Sequence, residues 1–144
     1  MEQVASERVY LAIVKPPSRD DLRHAIRKEL VDKLPLVLAV VEKKVVGWCS
    51  VARDCREGFR HTGVLGIGLV HLFRERGIGR KLLDATMGKA SDIGICRIEL
   101  EVFASNERAI RFYRREKFEI EGIKRRARFL DEKFDDIVCM ARFI

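Results

Sequence analysis

The chain has 144 residues, of which 47% are hydrophobic and 35% are charged, and its formal net charge is +7. These values are typical of one soluble globular domain over residues 1–144, and the apolar runs are too short to cross a membrane. The charged N-terminal stretch, MEQVASERVY, predicts no secretion signal. Four cysteines and three histidines lack the spacing of a metal site, which predicts no bound metal and favours free thiols in the cytoplasm.

The first half of the chain is predicted to contain a strand, a helix and then three strands. Residues 8–14 form an apolar strand that two prolines end, and a helix over 19–33 has apolar residues at every fourth position. Two strands within 35–54 meet at a charged turn over 42–44. The segment 61–73 is apolar and glycine-dotted, and we expect another strand there.

The second half alternates helices with strands. A helical pattern over 78–90 precedes a strand over 96–103, whose side chains alternate between apolar and charged. A short amphipathic helix over 106–116 follows, and two strands at about 118–129 and 134–143 close the chain. The strand–helix–strand unit before the short helix predicts a right-handed crossover with two parallel strands side by side, and therefore a mixed α/β fold.

Residues 73–83, FRERGIGRKLL, place two glycines where a strand runs into a helix. The first N–H groups of a helix lack internal partners and carry the positive end of the helix dipole. Glycine leaves that backbone bare, so Gly77 and Gly79 predict an anion site, whereas a helix start with solvent-facing arginines is the plainer alternative. A dinucleotide fingerprint and a Walker A loop are excluded, because the third glycine and the Gly-Lys-Ser/Thr sequence are absent. Three arginines flank the glycines: Arg74, Arg76 and Arg80.

Asn106 and Tyr113 are two polar residues that share one face of the predicted helix over 106–116. They are seven residues apart, which is nearly two helical turns. Each also has a purely structural interpretation, because asparagine is a good N-cap and tyrosine is a good core residue. Their joint placement directly after the second parallel strand favours a functional site.

Two segments of the sequence resemble the GCN5-related N-acetyltransferase (GNAT) family, over about 36–142. The family has Arg or Gln, two variable residues, Gly, one variable residue and then Gly or Ala between a strand and a helix, which matches RERGIG at 74–79. Within the family the chain is similar to the ribosomal-protein alanine N-acetyltransferases, with amino-acid and small-amine acetyltransferases as near alternatives. A second family pattern is matched about 25 residues later by Leu100, Glu101, Val102, Asn106, Ala109, Ile110, Tyr113 and Phe118.

The resemblance implies the GNAT fold, which is a mostly antiparallel sheet of six to seven strands with flanking helices and a central parallel pair at about 61–70 and 96–103. It implies transfer of an acetyl group from acetyl-CoA, with CoA as product, to a primary amine of a protein N-terminus, an amino acid or a small molecule. The two parallel strands separate in this family, and the cofactor lies between them. The cofactor-binding residues it implies are Ile67, Leu69, Arg74, Arg76, Gly77, Ile78, Gly79, Arg80 and Asn106.

The resemblance also implies the roles of individual groups. The backbone of the turn over 77–79 would hold the pyrophosphate, and the Leu69 backbone would pair with the pantetheine arm. Tyr113 would protonate the CoA thiolate as general acid, because a phenol and a thiol have comparable pKa values. Glu101 matches the general base, with a solvated or ion-paired strand glutamate as its alternative, and His61 is a second candidate base.

Two departures from the family concern the helix end and the acceptor. Lys117 stands where the family has a glycine after the helix, and 15–35 offers one helix where the family has two. Because that segment shapes the acceptor pocket in the family, the identity of the amine stays open. Pairing of the closing strands in a homodimer also stays open.

The net charge leaves another class of function as an alternative, namely a basic module that binds nucleic acid or an acidic protein. Neither a helix-turn-helix pattern nor an aromatic platform supports it, so we expect no nucleic-acid or membrane partner. A non-catalytic CoA-binding protein is a further alternative. We interpret the basic run 124–128 as a solvated strand face, with steering of CoA as its alternative, and we expect Met87, Met140 and the phenylalanines in the core.

Overall fold

The computed structural model describes residues 18–31 and 34–144, so the predicted strand over 8–14 and the last two residues of the predicted helix over 19–33 lie outside the described residues. Within the described part, two short 3-10 helices, at Glu57–Phe59 and His71–Phe73, accompany the regular elements. The helices are α1 (Arg19–Val31), α2 (Ile78–Asp92) and α3 (Glu107–Arg115), and the strands are β1 (Leu36–Val41), β2 (Lys44–Arg53), β3 (Thr62–Leu69), β4 (Arg97–Phe103), β5 (Glu119–Leu130) and β6 (Lys133–Phe143).

These strands form one six-stranded sheet in the order β1-β2-β3-β4-β6-β5. All neighbouring strands are antiparallel except β3 and β4, which α2 connects as a parallel pair. The predicted mixed α/β fold with a central parallel pair is therefore confirmed. None of the helices in the described ranges is long and apolar enough to cross a lipid bilayer.

The two tight hairpins, β1–β2 and β5–β6, turn on charged residues rather than on glycine. Glu42 and Lys43 connect β1 to β2, and Asp131 and Glu132 connect β5 to β6, all with positive φ angles between 48° and 63°. Such left-handed turns match the twist of the strands that they join. The hairpins predicted at these two places are confirmed.

The strand β3 ends earlier than the apolar pattern over 61–73 predicts. The last backbone bond to β2 joins the Val70 N–H to the Val46 carbonyl at 2.9 Å. Because β2 begins only two residues before Val46, few of its residues remain there to pair with β3. The chain then tightens into a 3-10 turn, in which Phe73 N–H donates to the Val70 carbonyl at 2.9 Å.

The parallel pair of β3 and β4 is joined over only part of its length. The register pairs 62–64 with 97–99 and stops there. Both strands continue beyond these pairs, to Leu69 and Phe103. Because unpaired strand backbone needs hydrogen-bond partners, this opening suits an extended ligand that lies between two strands.

The core lies between the sheet and helices α2 and α3. The inward residues of β4 alternate with charged ones, so that Ile98, Leu100 and Val102 are buried. Helix α2 packs on β1, β2 and β3 through an apolar face that includes Leu83, which is fully buried and belongs to the same core cluster. This packing fixes the position of the α2 N-terminus at the open end of the β3–β4 pair.

The prediction that the phenylalanines belong to the core is wrong for several of them, although it is confirmed for Met87, Met140, Phe103 and Phe118. The closing strands are 12 and 11 residues long, while β4 has 7, so the end of the hairpin extends past its neighbour. Its phenylalanines pack on each other instead of on the core, with ring centroids 4.7 Å apart. The exposed phenylalanines are Phe59, Phe129, Phe134 and Phe143.

Candidate active site

A cavity of about 800 Å³ occupies the opening between β3 and β4. Its walls are the end of β3, the glycine turn, the start of α2, the second half of β4 and one face of α3. The predicted site residues that line it are Ile67, Leu69, Arg74, Gly77, Gly79, Arg80, Glu101, Asn106 and Tyr113. Residues that lie far apart in the sequence are thus brought around one space.

The glycine turn gives the cavity a bare backbone at one end. Gly77 is the N-cap of α2 in the left-handed conformation, with φ 75°, and no side chain caps the helix there. A Cβ atom on Gly77 would meet no other heavy atom within 4 Å, so the space beside it is open. An uncapped helix N-terminus facing open space can bind an anion through its free N–H groups.

The arginines around the turn are held in different ways. Arg74 Nε donates a hydrogen bond to the Leu69 carbonyl at 2.8 Å. Arg80 lies within 3.7 Å of Asp84 and 4.0 Å of Glu116, and its side chain remains largely exposed. Arg76 stacks its guanidinium 5.8 Å from the ring centre of Phe73 and does not line the cavity. Positive charge therefore surrounds the mouth, with Arg74 fixed by the backbone.

Asn106 has a structural role and also faces the cavity. Its side-chain oxygen accepts a hydrogen bond from the Ala109 N–H at 3.2 Å, which caps α3. The residue is 8% exposed and lines the cavity wall. The N-cap interpretation is confirmed, and the cap orients α3 so that its cavity face carries Tyr113.

Tyr113 lies in the cavity wall against aromatic rings. Its ring centroid is 5.4 Å from that of Phe112 and 5.6 Å from that of Phe118. Burial raises the pKa of Tyr113 well above its usual range, and the nearby Cys49 raises it further. The phenol is therefore a firmly protonated donor that is available to a ligand.

Cys49 lies in the core on β2 and is fully buried. Burial raises the pKa of its thiol to about 11, with a smaller opposite effect from the hydrogen bond to Thr86. The thiol is therefore protonated at neutral pH, and we interpret it as part of the packing beneath Tyr113.

Glu101 points to the other face of the sheet, as the alternation of β4 predicts. It lines the main cavity and also a second hollow of about 360 Å³. Lys124 Nζ donates a hydrogen bond to Glu101 Oε1, and this contact raises the pKa of Lys124. Glu101 is thus an ion-paired carboxylate situated between the two spaces.

The second hollow is acidic and contains a fixed ion-pair network. Arg97 donates to both carboxylate oxygens of Glu121, at 2.8 and 2.5 Å, and lies 3.5 Å from Glu99. The hydrogen bond from Arg97 lowers the pKa of Glu121. The hollow is lined by Val64, Leu65, Glu99, Glu101, Glu121 and Cys139.

Three residues that the sequence suggested lie away from the cavity wall. Arg76 and Ile78 belong to the turn but do not line the cavity. His61 lies at the joined end of the β3–β4 pair, where its carbonyl accepts hydrogen bonds from the Cys96 and Arg97 N–H groups. It lines neither cavity and lies at the opposite end of β3 from the glycine turn.

The contact of Lys124 with Glu101 is the feature near the site that sequence reasoning missed. Residues 124–127 are exposed on β5, as predicted for a solvated face, whereas Arg128 is half-buried with its guanidinium 4.2 Å from the ring centre of Phe103. The strand carries a bulge between Lys124 and Arg128, and Arg126 there has φ 51° with its N–H donating to Asp136 at 2.7 Å. A basic run gives no signal of which member reaches Glu101, because that contact depends on the pairing of β5 through β6.

The family comparison decides how this cavity is interpreted. The model of the acetyltransferase (GNAT) family matches residues 5–118. The chain belongs to the GNAT family. Members of this family use acetyl-CoA as the acetyl donor, and the resemblance of the motifs is confirmed.

Individual GNAT proteins resemble this chain over nearly its whole length. The L-amino acid N-acetyltransferase AaaT of Escherichia coli K12 is 27% identical over 141 residues, which cover 96% of this chain and 86% of that protein. The ribosomal-protein-alanine N-acetyltransferase of Brucella melitensis superimposes with a TM-score of 0.91 at 22% identity, covering 99% of this chain and 89% of that one. The yncA protein of Salmonella typhimurium, solved with acetyl-CoA, gives a TM-score of 0.91 at 16% identity, with coverages of 99% and 83%.

The residues of this GNAT chain fit an acetyl-CoA ligand on three observations. The open space beside Gly77 leaves room for a phosphate at the uncapped start of α2. The separated strands leave room for an extended arm between them. Tyr113 offers a protonated donor in the cavity wall. The helix N-terminus, the separated strands and Tyr113 all line a single cavity.

Proposed function

We propose that this GNAT protein transfers the acetyl group of acetyl-CoA to a primary amine, which belongs to a protein N-terminus, an amino acid or a small molecule. The observation that supports this most strongly is the cavity in the opening of the β3–β4 pair, whose walls include a bare helix N-terminus, Tyr113 and Glu101. A binding module for nucleic acid has no need of such a cavity between two strands.

The glycine turn and its surroundings are the proposed binding site for the charged half of the cofactor. The N–H groups at the start of α2, beside Gly77 and Gly79, would donate to the pyrophosphate. Arg74 and Arg80 add positive charge beside it. Asn106 also lines the cavity and can face the pantetheine arm.

The end of β3 is the proposed partner of the pantetheine arm. Ile67 and Leu69 lie on the part of β3 that β4 leaves unpaired. The arm carries amide groups, so it can bond to free backbone groups in the way that an added strand does. The Leu69 carbonyl already accepts from Arg74, which leaves the other free backbone groups of this segment to the ligand.

Acetyl-CoA supplies a thioester whose carbon–sulfur bond breaks as the amine nitrogen forms its bond to the acetyl carbon. The amine must first lose a proton, and Glu101 is the proposed acceptor of that proton. Tyr113 donates its proton to the departing sulfur. Because burial favours the protonated phenol, Tyr113 retains this proton until the sulfur takes it.

The names of two relatives support an amine acceptor without choosing its class. One is an L-amino acid N-acetyltransferase and the other a ribosomal-protein-alanine N-acetyltransferase. Both names describe acetylation of an amine whose carbon atom also carries a carbonyl group. The acceptor of this chain is therefore sought among free amino acids and peptide N-termini before other amines.

The deciding experiment measures CoA release from acetyl-CoA in the presence of an amine panel. The panel contains the twenty L-amino acids, peptides with different N-terminal residues and simple primary amines. We expect release that depends on both acetyl-CoA and at least one amine, with the acetylated amine identified by mass spectrometry. Binding of acetyl-CoA without acetylation of any panel member would instead favour a non-catalytic CoA-binding protein.

A further inference from the structure

The ion pair between Lys124 and Glu101 lies where the acceptor amine is expected to bind. Lys124 is on β5, and its ammonium donates to the carboxylate of the proposed base. An attacking amine needs the same contact, because it must place its own proton against that carboxylate before it reacts. Lys124 therefore makes the contact with Glu101 that an acceptor amine would need.

The charges around Glu101 restrict which acceptors can replace Lys124. The lysine is followed on β5 by three arginines within four residues. The neighbouring carboxylates of Glu99 and Glu121 are already in contact with Arg97. A simple amine would therefore put a second ammonium beside the Glu101 carboxylate, which already pairs with Lys124, and such like-charge contacts are unfavourable.

An acceptor that carries its own carboxylate avoids this repulsion. Its ammonium can pair with Glu101 while its carboxylate pairs with the released ammonium of Lys124, so that two ion pairs replace one. The side chains of Lys124 and Glu101 are 55% and 51% exposed. Both can therefore change partners without disturbing the core.

We propose that Lys124 is a specificity-determining residue that selects acceptors with a carboxylate next to the reacting amine, as in a free α-amino acid. This inference rests on the proposed function, because it takes Glu101 as the base that receives the amine. The proposed selection narrows the acceptors from primary amines in general to amino acids. It depends on a contact between β4 and β5, which are not adjacent in the sheet. The same contact makes Lys124 a positioning residue, which acts through Glu101 and the acceptor rather than on the acetyl group.

The test compares each L-amino acid with its own amide, in which the carboxylate is neutral, as acceptors in the CoA-release assay. Lys124→Met keeps the length of the side chain and removes its charge, Lys124→Gln is a second neutral variant, and Lys124→Arg keeps the charge. We expect the wild-type protein and Lys124→Arg to prefer the amino acid. In the two neutral variants we expect the ratio of kcat/KM for amino acid over amide to fall about 10- to 100-fold, mainly through a higher KM for the amino acid.

The ratio separates specificity from structural damage, because a misfolded variant loses both acceptors together. Thermal unfolding with and without acetyl-CoA checks that each variant folds and keeps its cofactor site. A ratio that stays the same in Lys124→Met and Lys124→Gln overturns the inference. Acetylation of peptides or simple amines but of no amino acid also overturns it and leaves the proposed function intact, whereas acetylation of no amine contradicts both.

Discussion

At the residue scale, the proposed role of Tyr113 as proton donor can be tested by a substitution that removes only its hydroxyl group. Tyr113→Phe keeps the ring against Phe112 and Phe118 and removes the hydroxyl that burial keeps protonated. We expect kcat to fall about 100-fold or more, as for loss of a general acid, with the Kd of acetyl-CoA unchanged. Steady-state CoA release and calorimetric titration measure the two quantities.

The raised pKa of Tyr113 also fixes the direction of its pH dependence. Because the folded pKa lies above the ordinary value near 10, the proton donor persists across the whole neutral and mildly alkaline range. Deprotonation of Tyr113 should therefore not lower the wild-type rate below about pH 10. Any decline in rate below that pH should also be seen in Tyr113→Phe. An equal kcat for Tyr113→Phe and the wild-type protein would show that Tyr113 is not the proton donor.

A substitution at Gly79 should affect stability and acetyl-CoA affinity differently. A Cβ atom there would meet the Phe112 ring at 3.6 Å, which is an ordinary contact, and Gly79 lies within α2 without a positive φ angle. The fold should therefore tolerate Gly79→Ala, with a gain of up to about 0.5 kcal/mol from helix propensity. A phosphate against the bare backbone should not tolerate it, and we expect the Kd of acetyl-CoA to rise about tenfold.

Thermal unfolding of Gly79→Ala without ligand and calorimetric titration with acetyl-CoA measure these two effects. Gly77→Ala is the contrasting control, because its φ of 75° strains any side chain and both stability and affinity should fall. An unchanged Kd in Gly79→Ala would place the pyrophosphate away from the first turn of α2.

Single residues also show where prediction from the sequence ends. The alternation of β4 was enough to predict that Glu101 points away from the core, because that alternation is local. The contact of Glu101 with Lys124 spans 23 residues and passes through the register of β6 and two irregularities in β5. The register between strands depends on residues far apart in the sequence, and the local pattern of apolar and charged residues does not predict it.

At the element scale, the end of α3 carries a strain that one substitution should relieve. Phe118 N–H donates to the Tyr113 carbonyl and Lys117 N–H to the Arg114 carbonyl, at 2.9 and 3.0 Å, which is the Schellman pattern. Lys117 takes the left-handed position of that pattern, with φ 64°, where glycine is favoured. Lys117→Gly should therefore raise the free energy of unfolding by about 1 kcal/mol.

Urea denaturation measures this gain, and Lys117→Ala is its matched control. Alanine removes the lysine side chain and keeps a Cβ atom, so the strain at φ 64° remains and little stabilisation should follow. Equal stabilisation by both variants would show that the side chain of Lys117, rather than its backbone conformation, is unfavourable.

The elements themselves were largely predictable, because each follows from a local pattern. The helix over 78–90 is observed as α2, and the strand over 96–103 as β4, one or two residues from the predicted ends. The separation of β3 from β4 was expected only from the family resemblance, since both strands remain apolar in alternation beyond the last pair. The exposed phenylalanines of the closing hairpin were missed because strand length relative to a neighbour is a property of the assembled sheet.

At the scale of the whole molecule, the net charge of +7 favours any polyanion, so charge alone does not separate a cofactor site from a surface that binds nucleic acid. The cavity does separate them, because it should bind one CoA molecule in the folded state only. At a concentration 100 times its Kd, acetyl-CoA should stabilise the protein by about 2.7 kcal/mol, which raises the Tm of a domain of this size by about 5–10 °C.

The matched ligands in this thermal assay are CoA, pantetheine and a short DNA duplex. CoA should stabilise like acetyl-CoA, while pantetheine should stabilise much less, because it lacks the phosphates that we propose to bind at the α2 N-terminus and the arginines. Added salt should reduce the shift for CoA only in part, because contacts in the cavity persist, whereas stabilisation by DNA through surface charge should vanish steeply with salt. The absence of a Tm shift with millimolar acetyl-CoA would contradict a cofactor site. A larger Tm shift with DNA that persists at high salt would instead indicate that the basic residues form a surface that binds nucleic acid.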